Sequence, residues 1–354
     1  MFERKLVTIR KVSKILPIEN ADLIELALID GWQCVVKKGE FKTGAFGLFF
    51  EIDSFLPIEE RYEFLRKSSY KKLPDGSEGF RLKTVKLKRK LSQGLLLPLS
   101  LFPEIKKPEV DKDYAEILKV VKYEPPLPAN LRGIAKGLFP SFIKKSDQER
   151  IQNLPEFFVI HKDMEFEMTE KEDGSSATYY CLDGAFGYCS RNLELKEEGE
   201  NTYLKIAQEL GLKETFSQLT GKFSQSKGNF AIQGEIVGEG INKNHLKIKG
   251  AEFHVFDIYD IDTQRLLLPE ERMFLIKHMN NPKIKHIPIL KPSVKIFQIC
   301  KTMQELLVYA KGKSFFNPST EREGLVFKSL KFDDNGQVIS FKVVNNDYLL
   351  KSGE

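Results

Sequence analysis

Read for its apolar and polar positions, the chain is mostly short alternating runs, the period of strands with one buried face, with few stretches at helical spacing. Between Leu6 and about Leu101, runs at Leu23–Ile29, Trp32–Lys37 and Ala45–Ile52 predict strands set apart by Asp30-Gly31 and Lys38-Gly39. Phe80–Leu87 predicts a further strand, Arg61–Ser69 a short helix, and Pro17 with Asn20, Ala21 and Asp22 a turn into the second strand. About five short strands and one helix suit a small closed barrel. A short helical stretch around Lys112–Lys122 then leads into the proline-rich run Tyr123–Asn130, a semi-rigid spacer and natural boundary. The predicted division is a first domain at 1–123, a linker at 124–138 and a second domain at 139–354.

The second domain opens with the apolar anchor Phe139–Phe142. Ser146 and Glu149 then stand at capping-box spacing, which predicts a helix carrying Arg150 in its first turns. Glu165–Tyr180 alternates around a break at Lys171–Gly174. The chain turns at Asp183-Gly184, the strongest short hairpin signal, and returns through Phe186–Arg191. Tyr203, Ile206, Ala207 and Leu210 keep helical spacing up to Gly211. Asn229–Glu239, Phe253–Tyr259, Arg322–Lys328 and Ser340–Val344 read as strands, Pro269–Met279 and Thr302–Lys311 as helices. The class is α+β, with antiparallel sheets and flanking helices in the second domain.

Composition narrows the classes. With 354 residues, 41% apolar and 30% charged, the chain is neither disordered nor membrane-embedded in type. Its net charge of +5 permits a polyanionic partner without demanding one. Cys34, Cys181, Cys189 and Cys300 have no metal-ligand spacing and read as reduced core thiols. The start of the chain lacks the apolar run of a signal peptide, and no 18-residue apolar stretch follows. The expectation is a soluble intracellular monomer, cytoplasmic or nuclear, with no membrane partner.

Three features carry candidate chemistry. Lys171 sits in a tight break between strands, with Asp173 two residues on and Gly174 to let the chain bend, where a lysine can act as a nucleophile. Lys-x-Asp-Gly arises by chance in about one chain in ten of this length, so alone it decides nothing. Glu235 is a single acid in an otherwise apolar strand; it either faces outward on an edge or has a partner. Of the ten residues Arg81–Lys90, six are cationic. They form either a solvated strand edge or a basic ribbon, with Arg81, Lys83, Lys86 and Lys88, that grips nucleic acid.

Taken in order, Lys171–Gly174, Ser190-Arg191, Gly234–Ile236, Val255–Ile258, Glu323–Lys328 and Phe341–Val343 resemble the motifs of the covalent nucleotidyltransferases, the polynucleotide ligases and mRNA capping enzymes. Glu-Gly-x-Val-x-Lys alone arises by chance in roughly one chain in a hundred or fewer, so the ordered set excludes coincidence. Asn20–Asp22, Gly39–Gly44, Gly79–Val85 and Ser92–Leu95 resemble the OB-fold modules of RNA-handling enzymes. An OB-like five-stranded barrel placed before a nucleotidyltransferase (ATP-grasp-like ligase) domain, rather than after it, is similar to the fifth family of ATP-dependent RNA ligases.

That resemblance implies an enzyme that uses ATP with Mg²⁺ or Mn²⁺ to seal nicked duplexes with a 3′-OH RNA end, through lysyl-AMP, in RNA repair. It implies Lys171 as nucleophile, Asp173, Glu235 and Glu323 around the metal, and Lys328 and Lys342 on the α-phosphate. It further implies Arg191 on the ribose or a nucleic-acid phosphate, Phe256 stacked on adenine, Arg150 on the ATP phosphates and Glu170 at adenine's amino group. An ordinary lysine titrates near 10.4, so holding Lys171 neutral needs about 4 kcal/mol of help from nearby cations. The chain departs from the family's Lys-x-Lys at its last motif, where Val344 takes the second place. A GTP-dependent capping enzyme and an inactive RNA-binding protein remain the alternatives.

Overall fold

A computed structural model describes residues 4–126, 133–218 and 228–352. They divide into two units: 4–126 with 152–155 and 346–352, and 133–151 with 156–218 and 228–345.

The first unit is built of short antiparallel ladders. Val7–Lys11 and Leu95–Leu97 flank Phe46–Phe50, and Ile24–Ile29 lies between Lys14–Pro17 and Trp32–Lys37. A third sheet runs Val121–Lys122, Ser54–Leu56, Glu78–Arg81, Tyr70–Lys72; Val85–Leu87 pairs with Lys90–Ser92 as a separate hairpin. Past the exposed Phe46, the strand Phe46–Phe50 is buried on both sides. Leu48 and Phe50 join one core with Tyr62 and Phe80, while Phe49 joins another with Trp32. That double burial explains its unbroken apolar reading.

Among the described residues the ladders group into short sheets, and bonds such as that from the N–H of Gln93 to the Gln33 carbonyl link one sheet to the next. Several expectations about single elements are corrected. Phe80–Leu87 is not one strand, because the pairing is interrupted at Leu82–Thr84. Lys112–Val120 is a turn-rich loop before the strand Val121–Lys122: the Asp113 carboxylate takes the backbone N–H groups of Leu6, Val7 and Ala115, and Asp111 and Lys119 adopt positive φ. Arg61–Ser69 is a 3₁₀ turn, Glu60–Leu65, running into one α-turn, Arg66–Ser69. Of the expected linker, 127–132 lie outside the described residues, and Ala135–Leu138 form a strand.

The second unit carries two sheets. The larger runs Ala135–Leu138, Leu193–Leu195, Ala185–Ser190, Ser175–Leu182, Phe230–Gly238, Ala251–Asp260, Arg265–Leu266, with Lys285–His286 parallel to Ala251–Asp260. Helices Thr202–Glu209, Leu212–Ser217 and Pro269–His278 bury Ile206, Phe216 and Leu275 with its Tyr179, Ile232 and Val255. The hairpin at Asp183-Gly184 has positive φ at both residues (50° and 81°), the geometry that Asp-Gly favours. The smaller sheet runs Glu149–Arg150, Val338–Val344, Gly324–Phe332, Glu165–Lys171, Ile289–Lys295.

The helix expected from Ser146 does not form. Glu149–Arg150 pairs in parallel with Phe341–Lys342, and only a 3₁₀ turn, Ile151–Asn153, follows. Glu149 Oε1 accepts from the N–H of Arg150 next to it, so the box has no acid to reach back with, and the ladder takes the backbone groups instead. All four cysteines are buried as free thiols, and burial pushes Cys34 and Cys189 well up. No described helix is long and apolar enough to cross a membrane.

Candidate active site

The chain passes from the smaller to the larger sheet of the second unit through Lys171–Gly174. Lys171 ends its strand opposite Gly324, and Ser175 opens the next strand opposite Ile236. Gly174 is required at this crossing, since a Cβ there would lie 2.3 Å from the Ile236 carbonyl oxygen and 2.8 Å from Glu235 Cγ. The Lys171 ammonium leaves the crossing to meet Glu323 Oε1 at 2.6 Å. Its neighbour Glu172 turns inward, where both carboxylate oxygens meet His254 Nδ1 at 2.8 and 3.0 Å. His254 is fully buried; its Nε2 meets Glu252, and its ring stacks on Phe316. Burial opposes its charge, yet Glu172 and then Glu252 raise its pKa, so the two carboxylates favour the imidazolium and the His254–Glu172 pair anchors the crossing. Nothing in the sequence separated Glu172 and His254 from ordinary surface residues.

Acids gather near Lys171. Glu235 lies in the centre of the larger sheet, so the edge-strand reading is excluded. Its carboxyl is pushed up to about 8 by burial, Lys171 pulling the other way and Glu323, Glu172 and Asp173 adding to the rise. Glu323 Oε2 is buried without a hydrogen-bond partner among the described residues. Asp173 accepts from Asn242 Nδ2 at 2.6 Å. Among the described residues no three His, Cys, Asp or Glu side chains form a direct metal cage. The donor set is nonetheless of the oxygen type that hard divalent cations take, directly or through water.

Cations gather about Lys342. Arg150 stands in register beside Lys342 on the parallel pair. The half-buried Lys342 ammonium is pushed down to about 7, by burial first, then by Arg150, Lys171 and Arg191, with Asp147 opposing. Arg191 Nη2 donates to Asp147 Oδ1 at 3.0 Å. The segment that brings Arg150 here is tethered: Gln233 Nε2 donates to the Lys144 carbonyl at 2.8 Å, and Gln148 Nε2 to Asp257 Oδ2 at 3.4 Å. Val344 is buried opposite Gly324 and supplies no charge.

Lys328 is buried and paired with Asp257 Oδ1 at 2.7 Å, and it also donates to the Phe256 carbonyl. Burial lowers its pKa, Asp257 opposes, and Arg272 adds to the fall. Across the ladder from Lys328 stands Glu167, itself paired with the buried Arg272. Opposite Phe256 the ladder slips: Val255 faces Gly234 and Asp257 faces Gln233, leaving Phe256 as the extra residue of a bulge. Such a bulge re-aims a side chain, and the half-buried ring lies 5.4 Å from Lys328 Nζ. Asp257 was legible only as a strand residue. Glu170 is buried; its Oε2 accepts from the N–H of Phe315 at 2.7 Å, while Oε1 has no partner among the described residues. Burial raises its pKa.

The four basic residues singled out in the first unit divide. Arg81 donates to Asp53 at 3.3 Å and lies 4.2 Å over the Tyr123 ring, so its guanidinium is committed within the fold. Lys83 is half-buried; Lys86 and Lys88 are exposed on the hairpin.

An OB-fold domain family model matches residues 6–99, and an RNA ligase family model matches residues 164–344. Among solved structures, a mutant Naegleria gruberi RNA ligase with AMP and Mn is 44% identical, with a TM-score of 0.86, over 98% of this chain and 99% of that one. Another mutant of that ligase, with ATP and Mn, is 43% identical with a TM-score of 0.85, over 98% and 99% of the two chains. The ligase with pyrophosphate is 44% identical with a TM-score of 0.84, over 99% of each. No curated protein matches the chain.

Proposed function

Since this chain belongs to the RNA ligase family, we propose that it is an ATP-dependent RNA ligase that seals 3′-OH/5′-phosphate nicks by way of lysyl-AMP. The observation that carries this reading is that Lys171 is coupled both to a group of acids and to a group of cations. Glu323 pairs with Lys171, and Glu235, with Glu323 and Asp173 near it, feels its charge; Lys342 feels the charges of Lys171, Arg150 and Arg191. Cations forced together until Lys342 falls to about 7 form a site that an anion stabilises, and a triphosphate fits it. The relatives' complexes with ATP or AMP and Mn support the same ligands here.

In this reading Lys171 Nζ, freed of its proton and of Glu323, attacks the α-phosphorus of ATP. The P–N bond forms as the bond to the bridging oxygen breaks, and pyrophosphate leaves. The 5′-phosphate of the nick then takes AMP from Lys171, and the 3′-OH displaces AMP to close the strand. Each step is in-line displacement at phosphorus, so positioning and charge neutralisation do most of the work. Lys328 and Lys342 hold the α-phosphate, Arg150 the outer phosphates, and Arg191 the ribose or a nucleic-acid phosphate. Phe256 stacks on adenine, and the unpartnered Glu170 Oε1 accepts its amino group. Asp173, Glu235 and Glu323 are the oxygen donors that would hold Mg²⁺ or Mn²⁺, whose chemistry is to neutralise charge on the transferring phosphoryl group.

The first unit is assigned to the nicked duplex and the second to nucleotide transfer, in a cytoplasmic or nuclear monomer that repairs RNA. The test is incubation with α-labelled ATP or GTP and Mg²⁺ or Mn²⁺, followed by mapping of the acid-labile adduct. Label from ATP on Lys171, absent in Lys171→Ala, is expected. Label persisting in that variant, or taken from GTP alone, overturns the proposal.

A further inference from the structure

The hairpin Val85–Ser92 of the first unit has features that its own stability does not explain. Its strands, Val85–Leu87 and Lys90–Ser92, pair with Leu87 opposite Lys90, so the loop is the two residues Lys88-Arg89. Both have positive φ, 45° and 65°. A two-residue loop of this geometry favours Asn-Gly, and a long side chain with a Cβ is strained at each place. Stability alone would not put lysine and arginine there.

The base of the hairpin is fixed while its tip projects. Gln33 Nε2 donates to the Leu91 carbonyl at 2.8 Å, the N–H of Val35 to Ser92 Oγ at 2.9 Å, and the N–H of Gln93 to the Gln33 carbonyl at 2.8 Å. Leu91 and Ser92 are buried, whereas every residue from Val85 to Lys90 is exposed, the aliphatic Val85 and Leu87 included. Lys86, Lys88, Arg89 and Lys90 form no ion pair among the described residues, and the sequence has no acid between Glu78 and Glu104. The result is a hairpin finger, anchored at its base, with four uncompensated cations. A polyanion is its complement, and a preorganised element loses little freedom on binding one.

Of the two kinds of nucleic acid, the finger suits duplex. Single strands are held by stacking bases on aromatic rings, and residues 81–101 contain no aromatic residue. A narrow two-stranded ribbon with cations at its tip and aliphatic flanks matches phosphates with the sugars between them. Resting on the ligase reading above, we propose that this finger seats on the phosphate backbone of the duplex beside the nick, with Lys88 and Arg89 as its main contacts.

The test replaces the tip in the full-length protein, Lys88→Asn with Arg89→Gly. Binding of a nicked duplex with a 3′-OH RNA strand is followed by fluorescence polarisation across a salt series, and melting is measured alongside. The variant is expected to melt no lower than wild type, because the strain is relieved. Its affinity should nevertheless fall roughly tens-fold at 0.1 M salt, and the salt slope should drop by about two, one for each phosphate no longer neutralised. Lys88→Gln with Arg89→Gln removes the charges and keeps the strain; it should weaken binding as much with no gain in melting temperature. Unchanged affinity and slope in either variant overturn the proposal. An equal fall in affinity for a single strand of the same sequence overturns the assignment to duplex. Adduct formation by the wild-type chain is read separately, so a failure of the ligase reading and a failure of the finger are distinguishable.

Discussion

Asp257→Ala tests whether Lys328 is held as a charged group in the core. The two side chains are 3% and 2% exposed, and the Phe256 carbonyl is the other acceptor that Lys328 Nζ reaches. Removing one partner of such a pair costs about 3–5 kcal/mol, because the other charge is left buried. Chemistry sets a ceiling, since the stranded lysine sheds its proton when that is cheaper. At about 1.36 kcal/mol per pH unit below an ordinary value near 10.4, shedding costs roughly 4.6 kcal/mol at pH 7 and about 2.6 kcal/mol at pH 8.5. The folded variant then holds Lys328 neutral while the unfolded chain binds a proton, so the variant's stability rises with pH. The penalty should therefore shrink by up to about 2 kcal/mol over that interval. Urea denaturation at both pH values, followed by circular dichroism, measures it. The single tryptophan, Trp32, lies in the first unit, so its fluorescence should report an unaltered transition there. Asp257→Asn, which keeps an acceptor, should cost less. A penalty under about 1 kcal/mol, or one that does not fall with pH, refutes the reasoning.

Three further outcomes are expected. Glu323→Ala should cut adduct formation from ATP at least about a hundredfold with little change in denaturation midpoint, and wild-type rates would remove this carboxylate from the site. Lys342→Met should abolish adduct formation yet raise stability. Its folded pKa is depressed to about 7, so the charge costs most at and below that pH and nothing once pH passes the ordinary value near 10.4; melting curves at pH 6 and pH 9 should show a larger gain at pH 6. Gly174→Ala must move the Ile236 carbonyl or the crossing itself, so about 1–3 kcal/mol of stability should be lost along with adduct formation, and a variant as active as wild type would contradict the close approach.

Much of the site was legible because its parts are local. Lys171–Gly174, Glu323–Lys328 and the Asp183-Gly184 hairpin are each contained in a few residues, and Asp-Gly dictates its own turn. What escaped was set by pairing across long distances. The capping signal at Ser146 lost to a parallel ladder with a strand nearly two hundred residues on. The bulge at Phe256 depends on the register of Phe230–Gly238, which alternation along one strand does not contain. Glu172 and His254 become a pair only when two strands meet. Arg81 looked like part of a uniform basic run, and Asp53 with Tyr123 takes it out of that run. The Lys88-Arg89 loop carries no Gly or Asn, so nothing in the sequence marked it as a turn.

The last described helix, Asn346–Ser352, groups with the first unit, where Asn346 Oδ1 accepts from Nε2 of the buried Gln93 at 3.0 Å. Asn153 likewise belongs there, reaching Glu51 at 3.0 Å. During synthesis, then, the first hundred residues emerge early but lack pieces of their own unit until residue 346 has been made. Translation must run past Lys342 before that unit is complete. A nascent chain that stalls earlier would leave the Gln93 amide without this partner, at a cost of about 1–3 kcal/mol if it stays buried. The order of assembly thus couples the finishing of the first unit to the prior appearance of every candidate site residue in the second.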